Sequence, residues 1–196
     1  MKNITFVILM LFTQYAYVQE SGSGYNLNFD GTDDFVTIPK VNLFTGLTYS
    51  AWIQTTSTDA SSGFASNSAL SIIGDNTPNI WNSFGINDGK VRYIHYTGSY
   101  ENVTGATSVN DGNWHHVAVT HDQSTNAVVI YVDGIPDATG SLTYSGGGGA
   151  TKVGFTRIGG SYLDGTGTQD FFDGSIVEVA IFNTPISQIQ IRDLDV

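Results

Sequence analysis

The chain has 196 residues, 40% hydrophobic and 12% aromatic, which is enough apolar material for one domain with a sizeable core. Its formal net charge of −11 argues against attraction to nucleic acid or to an anionic membrane surface. The lack of cysteine excludes disulfides, Cys-based zinc sites and thiol nucleophiles.

The N-terminus has the layout of a secretory signal peptide. Lys2 precedes an apolar run over residues 4–12, and a more polar segment follows. The run is shorter than the roughly 20 residues of a membrane span. We therefore predict a signal peptide over residues 1–18 and one domain over 19–196, with no membrane span in the mature form. The alternative is that the leader forms a buried strand of the domain.

Most of the remaining chain is predicted to form short strands separated by Gly-rich and Asp-rich turns, with 23 glycines in all. Asp88-Gly89 between two apolar runs is a strong hairpin signal. Ser187 is the predicted N-cap of a short helical turn over Gln188–Leu194, with Ile189, Ile191 and Leu194 on one side. Loops are predicted over Thr55–Asn67 and Thr143–Ala150. The predicted strands are Tyr25–Phe29, Phe35–Ile38, Leu47–Gln54, Ala69–Gly74, Ser83–Asn87, Lys90–Tyr96, Asn113–Thr120, Val129–Gly134, Thr151–Ile158 and Gly174–Phe182.

The most informative segment is the pair of strands Asn113–Thr120 and Val129–Gly134, joined by a polar turn. This pair resembles the centre of laminin-G-like, concanavalin A-like jelly-roll domains. Leu27–Val36, Leu47–Ile53 and Phe172–Asn183 resemble the opening, next and closing strands of the same family, in the expected order. The resemblance implies an all-β, two-sheet antiparallel jelly-roll sandwich that binds glycans or proteins outside the cell. The closing strand departs from the family pattern because it has Val177-Glu178 where two acids are usual.

Alternation of apolar and polar residues predicts which side chains fill the sandwich. Two of the three tryptophans, Trp52 and Trp114, lie within predicted strands and are expected in the core. The other predicted core residues are Phe29, Ile53, Val117, Val119, Ile130, Val132, Ile158, Val179 and Ile181.

Catalytic motifs are absent from the sequence. Glutamate occurs only three times, so the paired carboxylates of a retaining glucanase cannot form on one strand. His115 and His116 are adjacent and therefore point to opposite faces of a strand, which prevents them from binding one ion together. We predict that the two histidines lie on the faces of the sandwich, with one of them half-buried and hydrogen-bonded, in a non-catalytic protein. A polysaccharide hydrolase built from scattered residues is the third hypothesis.

One turn has the chemistry of a calcium site. Calcium takes six to eight oxygen ligands from carboxylates and turn carbonyls, and the turn from Asp30 to Asp34 offers both. We predict a structural calcium held by Asp30 and Asp33, with Asp173 or Glu178 reaching it from the closing strand. The alternative is that the aspartates only cap the turn, with Glu178 satisfied by amides or a basic side chain.

Sugar binding requires exposed aromatic rings flanked by polar groups. Trp81, Tyr96, Tyr100 and Tyr162 lie in or near predicted loops and are the candidate ligand-binding residues. Ser99, Glu101 and Asn102 give Tyr100 a polar surround.

Together these features predict a secreted or cell-surface binding module, either lectin-like or adhesive, whose partner is a glycan or a cell-surface protein. The alternative is a structural or assembly subunit of a surface appendage or a larger adhesin, in which self-association would be expected.

Overall fold

The computed structural model describes residues 26–38, 46–58, 70–77, 80–96, 99–143, 157–163 and 167–195. The predicted signal peptide and most of the two predicted loops lie outside the described residues. Within these ranges the elements are β1 Leu27–Asp30, β2 Val36–Thr37, β3 Gly46–Gln54, β4 Leu70–Thr77, β5 Ile80–Asn87, β6 Lys90–Tyr96, β7 Tyr100–Ser108, β8 Trp114–Asp122, β9 Ala127–Val132, β10 Ile135–Ser141, β11 Arg157–Ile158, β12 Ser161–Leu163, β13 Gly167–Gln169, β14 Asp173–Phe182 and α1 Gln188–Arg192.

The strands form two packed antiparallel sheets, as predicted. Sheet A has the order β1-β14-β3-β8-β9-β10, and sheet B has the order β2-β11-β4-β5-β6-β7. Strands β12 and β13 form a separate two-stranded sheet. Strand β8 lies at the centre of sheet A, between β3 and β9, which confirms the predicted central pair.

The core lies between the inner faces of the two sheets. The alternation along β8 places Val117 and Val119 in the core, while the intervening Ala118 packs on the outer face. Of the other predicted core residues, Val179 and Ile181 are partly buried against the core, and the remainder are buried in it: Phe29, Ile53, Ile130, Val132 and Ile158.

Two tryptophan predictions are wrong. Trp52 shares the outer face of sheet A with His116, its partner across the β3–β8 pairing, and its ring centroid lies 5.6 Å from the imidazole. Trp114 begins β8 on the same outer face and is 38% exposed. Alternation separates the residues of a strand into two sets, but it does not state which set faces inward.

The edge strands β7 and β10 have no sequence pattern that predicts them. The Asp137 carboxylate on β10 joins these edges, because it accepts hydrogen bonds from the backbone N–H of Ala106 at 2.8 Å and of Thr107 at 3.1 Å. A Cβ built on Gly105 would lie 2.3 Å from Asp137 Oδ2, so the close approach requires glycine there. Edge amides are thereby paired instead of being open to another chain.

Residues 184–195, the C-terminal segment, cover the outer face of sheet A. Thr48 Oγ1 donates to Thr184 O at 2.8 Å and accepts from Ile186 N at 3.0 Å. Ile191 of α1 is fully buried against Ala118 and Tyr131. Ser187 caps the helix in a capping box, as predicted, but Ile189 is 72% exposed and not on the buried side.

The segment between β11 and β14 covers part of the outer face of sheet B. The backbone N–H of Ser71 donates to Asp170 O at 2.8 Å, and the Ser161 hydroxyl donates to Asp170 Oδ2 at 2.8 Å. A Cβ on Gly74 would lie 2.7 Å from Ser161 Cβ, so this segment sits directly on β4. No helix in the described ranges has both the length and the hydrophobicity that crossing a bilayer requires.

Candidate functional site

Three of the four predicted sugar-contacting residues lie on neighbouring strands of sheet B, and not in loops. Trp81 of β5 pairs with Tyr96 of β6, and Tyr96 pairs with Tyr100 of β7. Residues directly opposite one another in an antiparallel pair share one face of the sheet. We call these three residues the aromatic row. For Trp81 and Tyr96 the structure describes only the backbone, whereas Tyr100 is 44% exposed.

The aromatic row belongs to the outer face of sheet B. Phe84 and Tyr93 pair with each other and are fully buried in the core. Trp81 and Tyr96 are each three positions away along strands whose pairing is regular between these points. An odd number of steps along a strand changes the face, so the row faces away from the core.

Polar positions surround the row on the same face. Asn76 of β4 pairs with Trp81 and extends the row by one strand. In the next pairing on this face, Asn102 of β7 is opposite Ile94 and is exposed. The Asn102 side chain accepts a 3.5 Å hydrogen bond from Thr104 Oγ1, and an amide offers further donors and acceptors to a ligand hydroxyl.

The four Lys and Arg residues within the described ranges are remote from the row or already engaged. Lys90 begins β6, six residues before Tyr96 and therefore about 20 Å away. Arg92 is buried, and this burial lowers the pKa of its guanidinium. Arg157 stacks over the Phe35 ring at 4.3 Å, and Arg192 donates to Gly134 O at 3.4 Å.

The fourth candidate, Tyr162, is not part of the row. It lies on β12, where it pairs with Thr168 of β13 in the separate two-stranded sheet. Its side chain lies outside the described part of the structure.

The predicted calcium turn is well defined. Asp30 of β1 is directly opposite Asp173 of β14, and the Gly31 N–H donates to Phe172 O at 3.0 Å. Asp30 Oδ1 accepts a 2.8 Å hydrogen bond from Thr32 N, which is the turn-capping role considered above. Asp33 and Asp173 are exposed. In the described residues, no three His, Asp or Glu side chains are grouped closely enough to hold an ion.

Glu178 lies in a different part of sheet A. It is five residues beyond Asp173 on β14, so the two are roughly 15 Å apart along the strand, and one ion cannot bind both. The residue occupies the irregularity between Val177 and Ala180, with a φ of 53°. Partial burial raises the pKa of its carboxyl. Of the two proposed closing-strand ligands, only Asp173 adjoins the turn.

His115 links two turns at one end of sheet A. Its Nδ1 is 2.9 Å from Asp133 Oδ2, and its Nε2 is 3.2 Å from Asp111 Oδ1. Partial burial opposes the charged imidazole, but the hydrogen bonds and charges of Asp133 and Asp111 outweigh it and raise the pKa of His115. The side chain is half-buried and hydrogen-bonded, as predicted for one member of the histidine pair.

His116 forms a buried arrangement that the sequence did not reveal. Its Nε2 is hydrogen-bonded to Ser50 Oγ at 2.6 Å, and its Nδ1 is 3.8 Å from Asp195 Oδ1. This order of groups is that of a hydrolytic triad, but Ser50 is 1% exposed and His116 is fully buried. Burial lowers the pKa of His116 to about 4, so the imidazole is neutral at neutral pH. A substrate carbonyl has no access to this serine, and the neutral imidazole Nδ1, 3.8 Å from Asp195 Oδ1, makes no hydrogen bond to that carboxylate.

Comparison with solved structures finds the same fold in other proteins. A horseshoe-crab pentraxin (Limulus polyphemus) matches with a TM-score of 0.63 and 16% identity, covering 86% of this chain and 80% of that one. The carbohydrate-binding domain CBM40 of a Ruminococcus gnavus sialidase, bound to α2,3-sialyllactose, matches with a TM-score of 0.59 and 16% identity, covering 83% and 97%. These identities show a shared fold.

A sequence relative is the rat (Rattus norvegicus) protein "Sushi, von Willebrand factor type A, EGF and pentraxin domain-containing protein 1". It is 30% identical over 106 residues, which are 52% of this chain but only 3% of the relative. Residues 30–192 match the family model Laminin_G_3, described as the concanavalin A-like lectin/glucanases superfamily. This range is most of the chain and contains every strand except most of β1, so the protein belongs to the laminin G family of the concanavalin A-like superfamily.

Proposed function

We propose that the protein is an exported, non-catalytic carbohydrate-binding module whose binding site is the aromatic row. The observation that carries the proposal is the pairing of Trp81 with Tyr96 and of Tyr96 with Tyr100. Three aromatic residues from three consecutive strands occupy one line on one face of sheet B. Aromatic faces stack on the C–H faces of sugars, and the flanking amides suit hydroxyl groups.

The fold and its relatives support a binding role. The CBM40 domain that matches this chain is bound to a trisaccharide, and the family consists of lectin-like domains as well as glucanases. The one triad-like arrangement in the described residues, around His116, is closed to solvent, which is consistent with a role other than hydrolysis.

A glycan array followed by calorimetry tests the proposal. Binding should weaken about tenfold or more in Trp81→Ala and in Tyr100→Ala, which is the loss of roughly 1.4 kcal/mol. Trp114→Ala is the matched control, because it removes an exposed aromatic side chain from the outer face of the other sheet. Unchanged binding in both row variants, or an equal loss in the control, would contradict the proposal.

Export is the second component of the proposal. The leader should be cleaved near residue 18, which N-terminal sequencing of secreted protein would detect. Recovery of the chain with Met1 retained and no secretion would count against it.

A structural or assembly role is favoured by a different observation. Ile135 on the edge strand β10 is 61% exposed and Ile189 on α1 is 72% exposed. The two elements meet at the Gly134 turn, whose carbonyl accepts a hydrogen bond from Gln188 Nε2 at 3.4 Å. Sedimentation at increasing concentration tests self-association, and Ile135→Asp should abolish it. A monomer at all concentrations would remove this candidate.

A further inference from the structure

The arrangement of charge around the aromatic row bears on the class of sugar that it binds. We infer that the row takes an uncharged oligosaccharide of two or three units, lying across strands β5, β6 and β7, and that it discriminates against acidic sugars. The inference rests on the proposed function, because it names the ligand of the same site.

The length and direction of the ligand follow from the strand spacing. Neighbouring strands are about 4.8 Å apart, so Trp81 and Tyr100 are separated by about 9.5 Å at the backbone. This distance matches two linked pyranose rings. The row runs across the strands, and an extended oligosaccharide that contacts all three residues must lie along the row.

The positions of the basic side chains in the described ranges favour an uncharged ligand over an acidic one. A sugar carboxylate or sulfate is bound tightly through charge-assisted hydrogen bonds, most often from arginine. Within the described ranges, Lys90 is at the far end of the hairpin, Arg92 is buried, and Arg157 is engaged by Phe35 and Thr37. The net charge of −11 adds a long-range repulsion of anions.

The polar groups beside the row suit hydroxyls. Asn102 is exposed on the same face as Tyr100 and two residues away from it. Its amide can both donate and accept, as a sugar hydroxyl can, whereas a carboxylate can only accept.

The experiment compares neutral and acidic probes of the same backbone. Calorimetry would use galactose, galactobiose, galactotriose and trigalacturonate, together with lactose and α2,3-sialyllactose, each at low and high salt. We expect affinity to increase up to the trisaccharide and then level off. We expect the acidic member of each pair to bind about tenfold more weakly, and neutral binding to change less than about twofold with salt.

A gain-of-function variant sharpens the test. Asn102→Arg places a cation beside Tyr100, so binding of the acidic probes should increase and become salt-dependent. Tighter binding of acidic probes by the wild type, weakened by salt, would overturn the inference while leaving the proposed function intact. Binding that does not depend on Trp81 and Tyr100, or no binding to any array glycan, would instead overturn the proposed function and the inference with it.

Discussion

Each outer face of the sandwich has a buried region and an exposed end, and the two faces differ in which residues are buried. The C-terminal segment covers the part of the outer face of sheet A where Ser50 is 1% exposed and His116 is fully buried, while Trp114 at the start of β8 is 38% exposed. On the outer face of sheet B, Ile94 is fully buried, whereas Tyr100 on the edge strand β7 is 44% exposed. Chemically suggestive residues therefore need to be judged by their access to solvent. The triad-like groups are buried, whereas the aromatic row ends in the exposed side chain of Tyr100.

The outer face of sheet A also contributes to the apolar surface that this domain buries. Ile191 makes the C-terminal segment part of a second apolar cluster with Ala118 and Tyr131, outside the main core. The same segment satisfies the Thr48 hydroxyl on this face through two hydrogen bonds. The segment is therefore an integral third layer over sheet A.

The largest expected effect concerns this third layer. Ile191→Ala should lower the free energy of unfolding by roughly 2–5 kcal/mol, because it leaves a cavity beneath α1. Ile189→Ala on the same helix is the matched control and should change stability by less than about 0.5 kcal/mol, since that side chain is 72% exposed. Urea denaturation measures both. Equal effects would show that the segment is not packed as described.

The pH dependence of stability tests the buried imidazole. His116 has a pKa of about 4 in the folded protein, below the ordinary 6.5 expected on unfolding. The unfolded state therefore binds the proton more readily, so stability is intact above pH 6.5 and falls by about 3 kcal/mol as the pH drops towards 4.

The control for this prediction is the neighbouring histidine. The pKa of His115 is raised, so its contribution is present below pH 6.5 and is lost as the pH rises through the raised value. Urea midpoints between pH 4 and 8 should thus show a weaker acid dependence in His116→Gln than in the wild type, and the opposite change in His115→Asn. Parallel pH profiles in all three proteins would contradict the assignment.

Binding of a calcium ion at the turn from Asp30 to Asp34, at one edge of sheet A, stays a prediction. If it binds, melting temperatures should be higher in calcium than in chelator, with about 2.7 kcal/mol of stabilisation when free calcium is 100 times Kd. Asp30→Asn and Asp173→Asn should remove the difference. Asp122→Asn is the control, because Asp122 caps a similar turn through Ser124. Equal melting temperatures in the wild type would leave only the turn-capping role.

The smallest effect concerns the edge that joins the two sheets. Asp137→Ala removes the acceptor for the Ala106 and Thr107 amides and should cost about 1 kcal/mol, since the bonds are close to solvent. Hydrogen exchange of the β7 amides should increase, while those of β8 stay protected. Thr107→Val, which removes only the 2.6 Å hydroxyl bond, should have a smaller effect. No change in β7 exchange would show that Asp137 does not protect this edge.

Much of the fold was predictable from local sequence. The Asp88-Gly89 hairpin follows because both residues adopt positive φ, 51° and 70°, which this tight turn requires. The apolar alternation of β8 and the Ser187 capping box are equally local. By contrast, β7 and β10 are edge strands with few large apolar residues and without a continuous buried face, so alternation gave no signal for them.

The sequence by itself determined the strands, the turns and the family, because these depend on side-chain alternation and on residues suited to particular backbone angles. Only the tertiary structure decided what those strands bring together. The Asp88-Gly89 turn already fixes Trp81 opposite Tyr96, but the meeting of Ser50 with His116 across 66 residues depends on the pairing of β3 with β8. Whether Trp52 faces inward or outward was likewise not determined by its own strand. Register between strands distant in sequence, and the choice of the inward face, are set by pairing and packing that no local pattern encodes.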